Sequence, residues 1–170
     1  DFIIDFGSLK MLIESKSSLL KLDAKQQVPN LKSADNFFNN TIRKAYKQLN
    51  SSYEQLKGTC NVPIVKIILL YDEFSNTSVI ESSMREIFEQ DSSCYVMTIR
   101  ELEMLLYIHH NDKPTERKIM DRLLESITPG GERKNLGTIY SDLSIYKNRH
   151  FDGSMNYFSK LMGYFEENLK

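Results

Sequence analysis

Nine residues in the middle of the chain, V-P-I-V-K-I-I-L-L at 62–70, form an almost unbroken apolar run with a single charge. The run is far short of the ~20 apolar residues that a bilayer-spanning helix needs. A short, β-branched run of this kind is the pattern of a strand covered on both faces. Sheets covered on both faces carry helices above and below, so this one feature points to an α/β architecture.

The flanking sequence supplies the remaining elements. Residues 1–6 (D-F-I-I-D-F) and 9–17 (L-K-M-L-I-E-S-K-S) are rich in strand formers, with Gly7-Ser8 between them. Glycine at the first central position of a two-residue loop is what a type II′ hairpin turn requires. That turn sets Phe6 against Leu9, Asp5 against Lys10, Ile3 against Leu12 and Asp1 against Glu14. Residues 18–33 read as a loop. Asp35 to about Lys57 reads as the longest helix, with Phe38, Ile42, Ala45, Leu49, Tyr53 and Leu56 at helical spacing, and Gly58 stops it. A short helix is expected over 78–90 and a strand over Cys94–Met97. Thr98 followed by Glu101 is a capping-box signature for the next helix. A further helix runs from about Pro114 to Ser126, and Pro129-Gly130-Gly131 breaks the chain. Residues 135–170 read as helix, loop and helix, with Phe158, Leu161, Met162 and Phe165 as an apolar stripe. The expected arrangement is an α/β sheet flanked by helices, with a core at 1–128 and a helical C-terminal extension of the same domain at 129–170.

Composition narrows the function classes. An apolar share of 41% with 26% charged residues is that of a globular domain, and the net charge of −1 provides no global basic field. Any nucleic-acid surface is therefore a local patch. Cys60 and Cys94 lack metal-ligand spacing and read as small buried thiols of a reducing compartment. No segment reads as a signal peptide or a membrane span, so the expected location is the cytoplasm, without membrane contact. The chain opens at Asp1 in mid-pattern and reads as part of a longer protein.

Three E-x-K triplets occur, Glu14/Lys16, Glu116/Lys118 and Glu132/Lys134, where composition alone gives about one by chance. The second falls in a helix, where residues two apart diverge, and the third in a glycine-rich loop. Only the first lies on a strand, where residues two apart share a face. Lys10, Leu12, Glu14 and Lys16 occupy that face, and Met11, Ile13 and Ser15 the other. The hairpin register adds Asp1 opposite Glu14. Two carboxylates so placed suit a divalent cation bound through oxygen. Asp5 is better read as a partner of Lys10 than as a ligand. His109-His110 reads as a helix end favoured by the dipole. Asp72-Glu73 lies where ligands gather in α/β sheets but reads first as loop acids. Tyr140, Tyr146, Tyr157 and Tyr164 read as packing residues.

An aspartate opening one strand, a hairpin, an apolar strand ending in E-x-K and a helix bearing a glutamine resemble the PD-(D/E)XK, restriction endonuclease-like superfamily. The matching residues are D-F-I-I-D-F-G-S-L-K-M-L-I-E-S-K and A-Y-K-Q-L, within roughly residues 1 to 100; the helix that usually precedes the first strand is missing. The resemblance implies a restriction endonuclease-like mixed central sheet and Mg²⁺- or Mn²⁺-dependent hydrolysis of phosphodiester bonds, in DNA ahead of RNA, as part of a larger defence or repair protein. It implies Asp1 and Glu14 as metal ligands with the Ser15 carbonyl, Lys16 as the group holding water or phosphate, and Gln48 as the supporting helix residue. Gln48 sits about 90° round from the apolar helix face, on a flank shared with Thr41, Lys44, Ser52 and Gln55. Lys44 and Ser17 are the candidate nucleic-acid contacts. Helices beyond Gly131 would serve homodimer formation or docking to further domains. Two alternatives stand beside this reading. One is a non-catalytic binding or assembly module of the same fold. The other is an unrelated α/β interaction domain, in which Gly7-Ser8 is no hairpin turn.

Overall fold

The computed structural model describes residues 2–17, 31–71, 85–87, 89–128, 131, 134 and 136–145. The apolar run forms strand β3 (Ile64–Leu70), and all seven of its residues are buried. It lies between β2 (Lys10–Lys16) and β4 (Cys94–Thr98) and runs parallel to both. Strand β1 (Phe2–Asp5) pairs antiparallel with the outer side of β2, giving a four-stranded mixed sheet in the order β1-β2-β3-β4.

The hairpin forms as its sequence dictates. Gly7 adopts a φ of 82°, a conformation that glycine enters without strain, while Ser8 stays out of the left-handed region. The Phe6 N–H donates to the Leu9 carbonyl at 3.0 Å, and Ile3 faces Leu12. Asp5 faces Lys10 and pairs with it at 3.2 Å.

On one face of the sheet lies a continuous helical segment: α1 (Leu31–Phe37), one π-helical turn (Phe38–Ile42) and α2 (Arg43–Leu56). The helix therefore begins before Asp35, and residues 31–33 belong to it rather than to a loop. In the π turn the Arg43 N–H reaches the Phe38 carbonyl, five residues back. The wider turn lets two adjacent pairs, Phe37-Phe38 and Thr41-Ile42, all be buried. Thr41 is thus not on the polar flank, because uniform α-helical spacing does not hold across this turn. Ile42, Ala45 and Leu49 pack on Leu12, Ile64, Ile68 and Leu70. A fully buried Leu or Ile contributes about 1.5–3 kcal/mol, so this seam holds α2 firmly to the sheet.

The opposite face carries α3 (Ile99–Asn111), α4 (Lys113–Ile127) and α5 (Leu136–Asp142), packed on Met11, Ile13, Val65, Ile67 and Leu69. Thr98 and Glu101 form the reciprocal capping box at the start of α3. Asp112 caps α4, accepting from the Thr115 N–H at 3.1 Å. After α4, Gly131 comes so close to the preceding turn that a Cβ there would lie 2.0 Å from the Glu125 carbonyl oxygen. Glycine at position 131 is therefore a steric requirement.

Tyr140 is buried and donates to the Glu101 carbonyl at 3.1 Å, a packing role. Residues 85–87 and 89–90 are helical. The rest of the helix expected over 78–90, Tyr146, Tyr157, Tyr164 and the stripe Phe158, Leu161, Met162 and Phe165 lie outside the described residues. Cys60 and Cys94 form no disulfide; Cys94 is buried, whereas Cys60 is only half-buried, at the edge of the core rather than within it. No helix among the described residues is long and apolar enough to cross a membrane.

Candidate functional site at the carboxyl end of strand β2

Strand alternation places Leu12, Glu14 and Lys16 on the α2 face. Leu12 enters the core beneath α2, and Glu14 and Lys16 follow it on the same face, level with the buried Ile68 and Leu70 of β3. The Glu14 side chain is only 8% exposed, and that of Lys16 21%. Burying a carboxylate is costly unless it is paired. Lys16 supplies the pairing, its Nζ donating to Glu14 Oε1. The same Nζ donates to Gln48 Oε1 at 2.7 Å, across 32 residues of sequence. Gln48 is exposed, one turn past Lys44 on α2 and beside the buried Leu49. Of the helix flank read from the sequence, Gln48 reaches the strand end.

Glu14, Lys16 and Gln48 therefore converge. Partial burial pulls the Lys16 ammonium pKa below its ordinary value. An ammonium group has three protons. Glu14 and Gln48 take two, which leaves one for a further acceptor. Ser15 lies between Glu14 and Lys16, exposed and paired in register with Leu69. Lys44, one turn before Gln48 on α2, and Ser17, directly after Lys16, are both exposed. Asp1 and Asp72-Glu73 lie outside the described residues.

Among the described residues, no group of three or more His, Cys, Asp or Glu side chains gathers in a way that could hold a metal ion. Mg²⁺ does not demand one, because it keeps several waters and takes only one or two carboxylates from the protein. Glu14 suits such an ion: it is a hard oxygen donor whose Oε1 is taken by Lys16, while Oε2 carries no hydrogen bond among the described residues.

The other two E-x-K triplets are used differently. Glu116 turns away from Lys118 and accepts from Lys113 at 2.8 Å, with His109 Nδ1 at 2.7 Å from its other oxygen. Burial works to raise its pKa, but the hydrogen bonds from Lys113 and His109 hold it below the ordinary glutamate value. Lys134 pairs with Asp142 at 2.8 Å, and Glu132 lies outside the described residues.

Sequence reasoning passed over one further cluster. Lys66, the single charge of the apolar run, is buried on the α2 face and pairs with Asp91. Its Nζ also donates to Asn50 Oδ1 at 2.7 Å and lies 4.9 Å from the Tyr53 ring centroid and 5.6 Å from that of Tyr46. The Tyr46 hydroxyl donates to Asp91 at 3.0 Å, and Ser93 Oγ at 2.6 Å. A lysine at the centre of an apolar strand was the available signal, since such a charge must find a partner. Tyr46, Asn50 and Tyr53 all belong to α2, so this cluster fastens the helix that carries Gln48.

No family model matches the chain, and neither a curated protein nor a solved structure does.

Proposed function

We propose that this is a restriction endonuclease-like domain that hydrolyses phosphodiester bonds in DNA with the help of Mg²⁺. The observation that carries this reading is the shared Lys16 ammonium, touching both the Glu14 carboxylate and the Gln48 amide oxygen. A simple surface ion pair contributes about 0–1 kcal/mol and would need neither burial nor a third group from another element. The sheet order and the position of α2 between β2 and β3 fit the same reading. So does the Gly7-Ser8 hairpin, a turn that an accidental E-S-K would not require.

In this reading Glu14 and Asp1 hold the cation, with the Ser15 carbonyl as a further oxygen. The bound cation would supply a more acidic water and neutralise charge on the phosphate. Lys16, with its remaining proton, positions the attacking water or a phosphate oxygen. Gln48 fixes the direction of that ammonium. Lys44 and Ser17 contact the phosphate backbone on either side.

The test is cleavage of plasmid and linear DNA with Mg²⁺, Mn²⁺ or EDTA. Glu14→Gln and Lys16→Met should each lower the rate about 10²–10³-fold, the range seen when one electrostatic contributor is removed. Circular dichroism should show both variants folded. Metal-independent cleavage, or variants as active as the parent, would refute the assignment. Metal-independent DNA binding without cleavage, equal in parent and variants, would mark a non-catalytic module of the same fold.

A further inference from the structure

Three charged side chains are buried among the described residues: Glu14, Lys66 and Glu116. Two of them are enclosed by their partners. Lys66 is taken by Asp91 and Asn50, and the two oxygens of Glu116 are taken by Lys113 and His109, one each. Glu14 is held differently. It has one cation, Lys16 on Oε1, and that cation is itself shared with the neutral Gln48 at 2.7 Å. The Glu14–Lys16 pair therefore carries no net charge. Among the described residues it also leaves the second carboxylate oxygen, Oε2, as an acceptor.

We infer that Lys16 is the resident counter-ion of Glu14 and couples the two ligands of the site: a divalent cation on Glu14 releases the Lys16 ammonium to a phosphate, so that cation and DNA bind cooperatively. This rests on the proposed phosphodiesterase reading and adds to it how the site is loaded. Charge sets the direction. A carboxylate and an ammonium cancel, which gives a phosphate little reason to approach. Once a divalent cation shares the same carboxylate, the site carries surplus positive charge, and an anion is then the favoured third partner. The low exposure of Glu14 and Lys16 keeps salt from screening that surplus as it screens surface charges. Gln48 gives the ammonium a contact that does not depend on Glu14, so Lys16 stays in place while the carboxylate is shared. The converse also follows. By occupying Oε1 and by like-charge repulsion, Lys16 weakens the hold of Glu14 on any cation.

The experiment measures Mn²⁺ affinity from the electron paramagnetic resonance signal of the free ion, without DNA and with a phosphorothioate duplex that resists cleavage. Lys16→Met should bind Mn²⁺ roughly tenfold more tightly than the parent, the factor that one hydrogen bond to a charged group is worth. Lys16→Gln is neutral but still donates, and it should shift the same way; it carries the test if Lys16→Met fails to fold. Lys16→Arg keeps the charge and should stay at the parent's affinity. DNA should tighten Mn²⁺ binding in the parent, and by a smaller factor in the neutral variants. Unchanged or weaker Mn²⁺ binding in the neutral variants overturns the inference. So does a gain in Lys16→Arg as large as theirs, or an equal effect of DNA on parent and variants. Any of these results, with Mn²⁺ binding still lost in Glu14→Gln, leaves the hydrolytic reading standing. No Mn²⁺ binding at all, or binding that Glu14→Gln does not weaken, removes the cation from this carboxylate and overturns both.

Discussion

Lys66→Met tests whether the buried cluster on the α2 face holds the helix in place. The Lys66 side chain is 5% exposed and that of its partner Asp91 13%. Removing one member of a buried pair typically costs about 3–5 kcal/mol, because the other charge is left uncompensated. Asp91 would keep its bonds from Ser93 and Tyr46, which favours the lower end of that range. Loss of the cation–π contacts with Tyr53 and Tyr46 adds about 0.5–1 kcal/mol each. The expected total is about 4 kcal/mol. With a urea dependence of about 2 kcal/mol/M, the unfolding midpoint should fall by about 2 M. The chain has no Trp, so unfolding is followed by far-UV circular dichroism. Asp91→Asn and the double variant complete a cycle. The double variant should be less destabilised than the sum of the singles by at least ~1 kcal/mol, since it no longer buries an unpaired charge. Additivity within about 0.5 kcal/mol would refute the claim that the two groups act as a pair.

Acid should act on the same cluster. Burial works to raise the Asp91 carboxyl, but hydrogen bonds from Lys66 and Ser93, the Lys66 charge and the Tyr46 hydroxyl hold it below the ordinary aspartate value. Its contribution to stability is therefore complete above the unfolded-state pKa of about 3.9 and is lost as pH falls through the lower folded value. Urea midpoints measured from pH 7 down to about pH 2 should drop less steeply for Asp91→Asn than for the parent, and identical slopes would argue against it. At the start of α3, Thr98→Ala removes the hydroxyl that accepts from the Glu101 N–H at 3.2 Å and should cost about 1 kcal/mol. Thr98→Ser should restore most of it.

The hairpin, the buried strand, the capping box and the proline-led helix were legible because each depends on residues close together in sequence. Gly7 alone fixes the turn, and the turn fixes the register through Leu12. The meeting of Lys16 with Gln48 was half legible: strand and helix periodicity assigned each to a face, but not the distance between them. Two features escaped. The π turn follows from how Phe37, Phe38, Thr41 and Ile42 meet the sheet together, which no uniform period describes. The Lys66 partners lie 16 and 25 residues away on other elements, so the sequence displayed the charge without its complement.

The π turn also bears on how the chain tolerates changes in its length. Gln48 is anchored from its carboxyl side, by Leu49 in the core and by Asn50 and Tyr53 around Lys66. A π turn holds one residue more than the α turn it replaces. Deleting a residue within 38–42 would let that stretch revert to an α turn, with the rotation taken up by α1. The turn works as an expansion joint: chain length can vary on its amino side while the glutamine keeps its address beside the lysine.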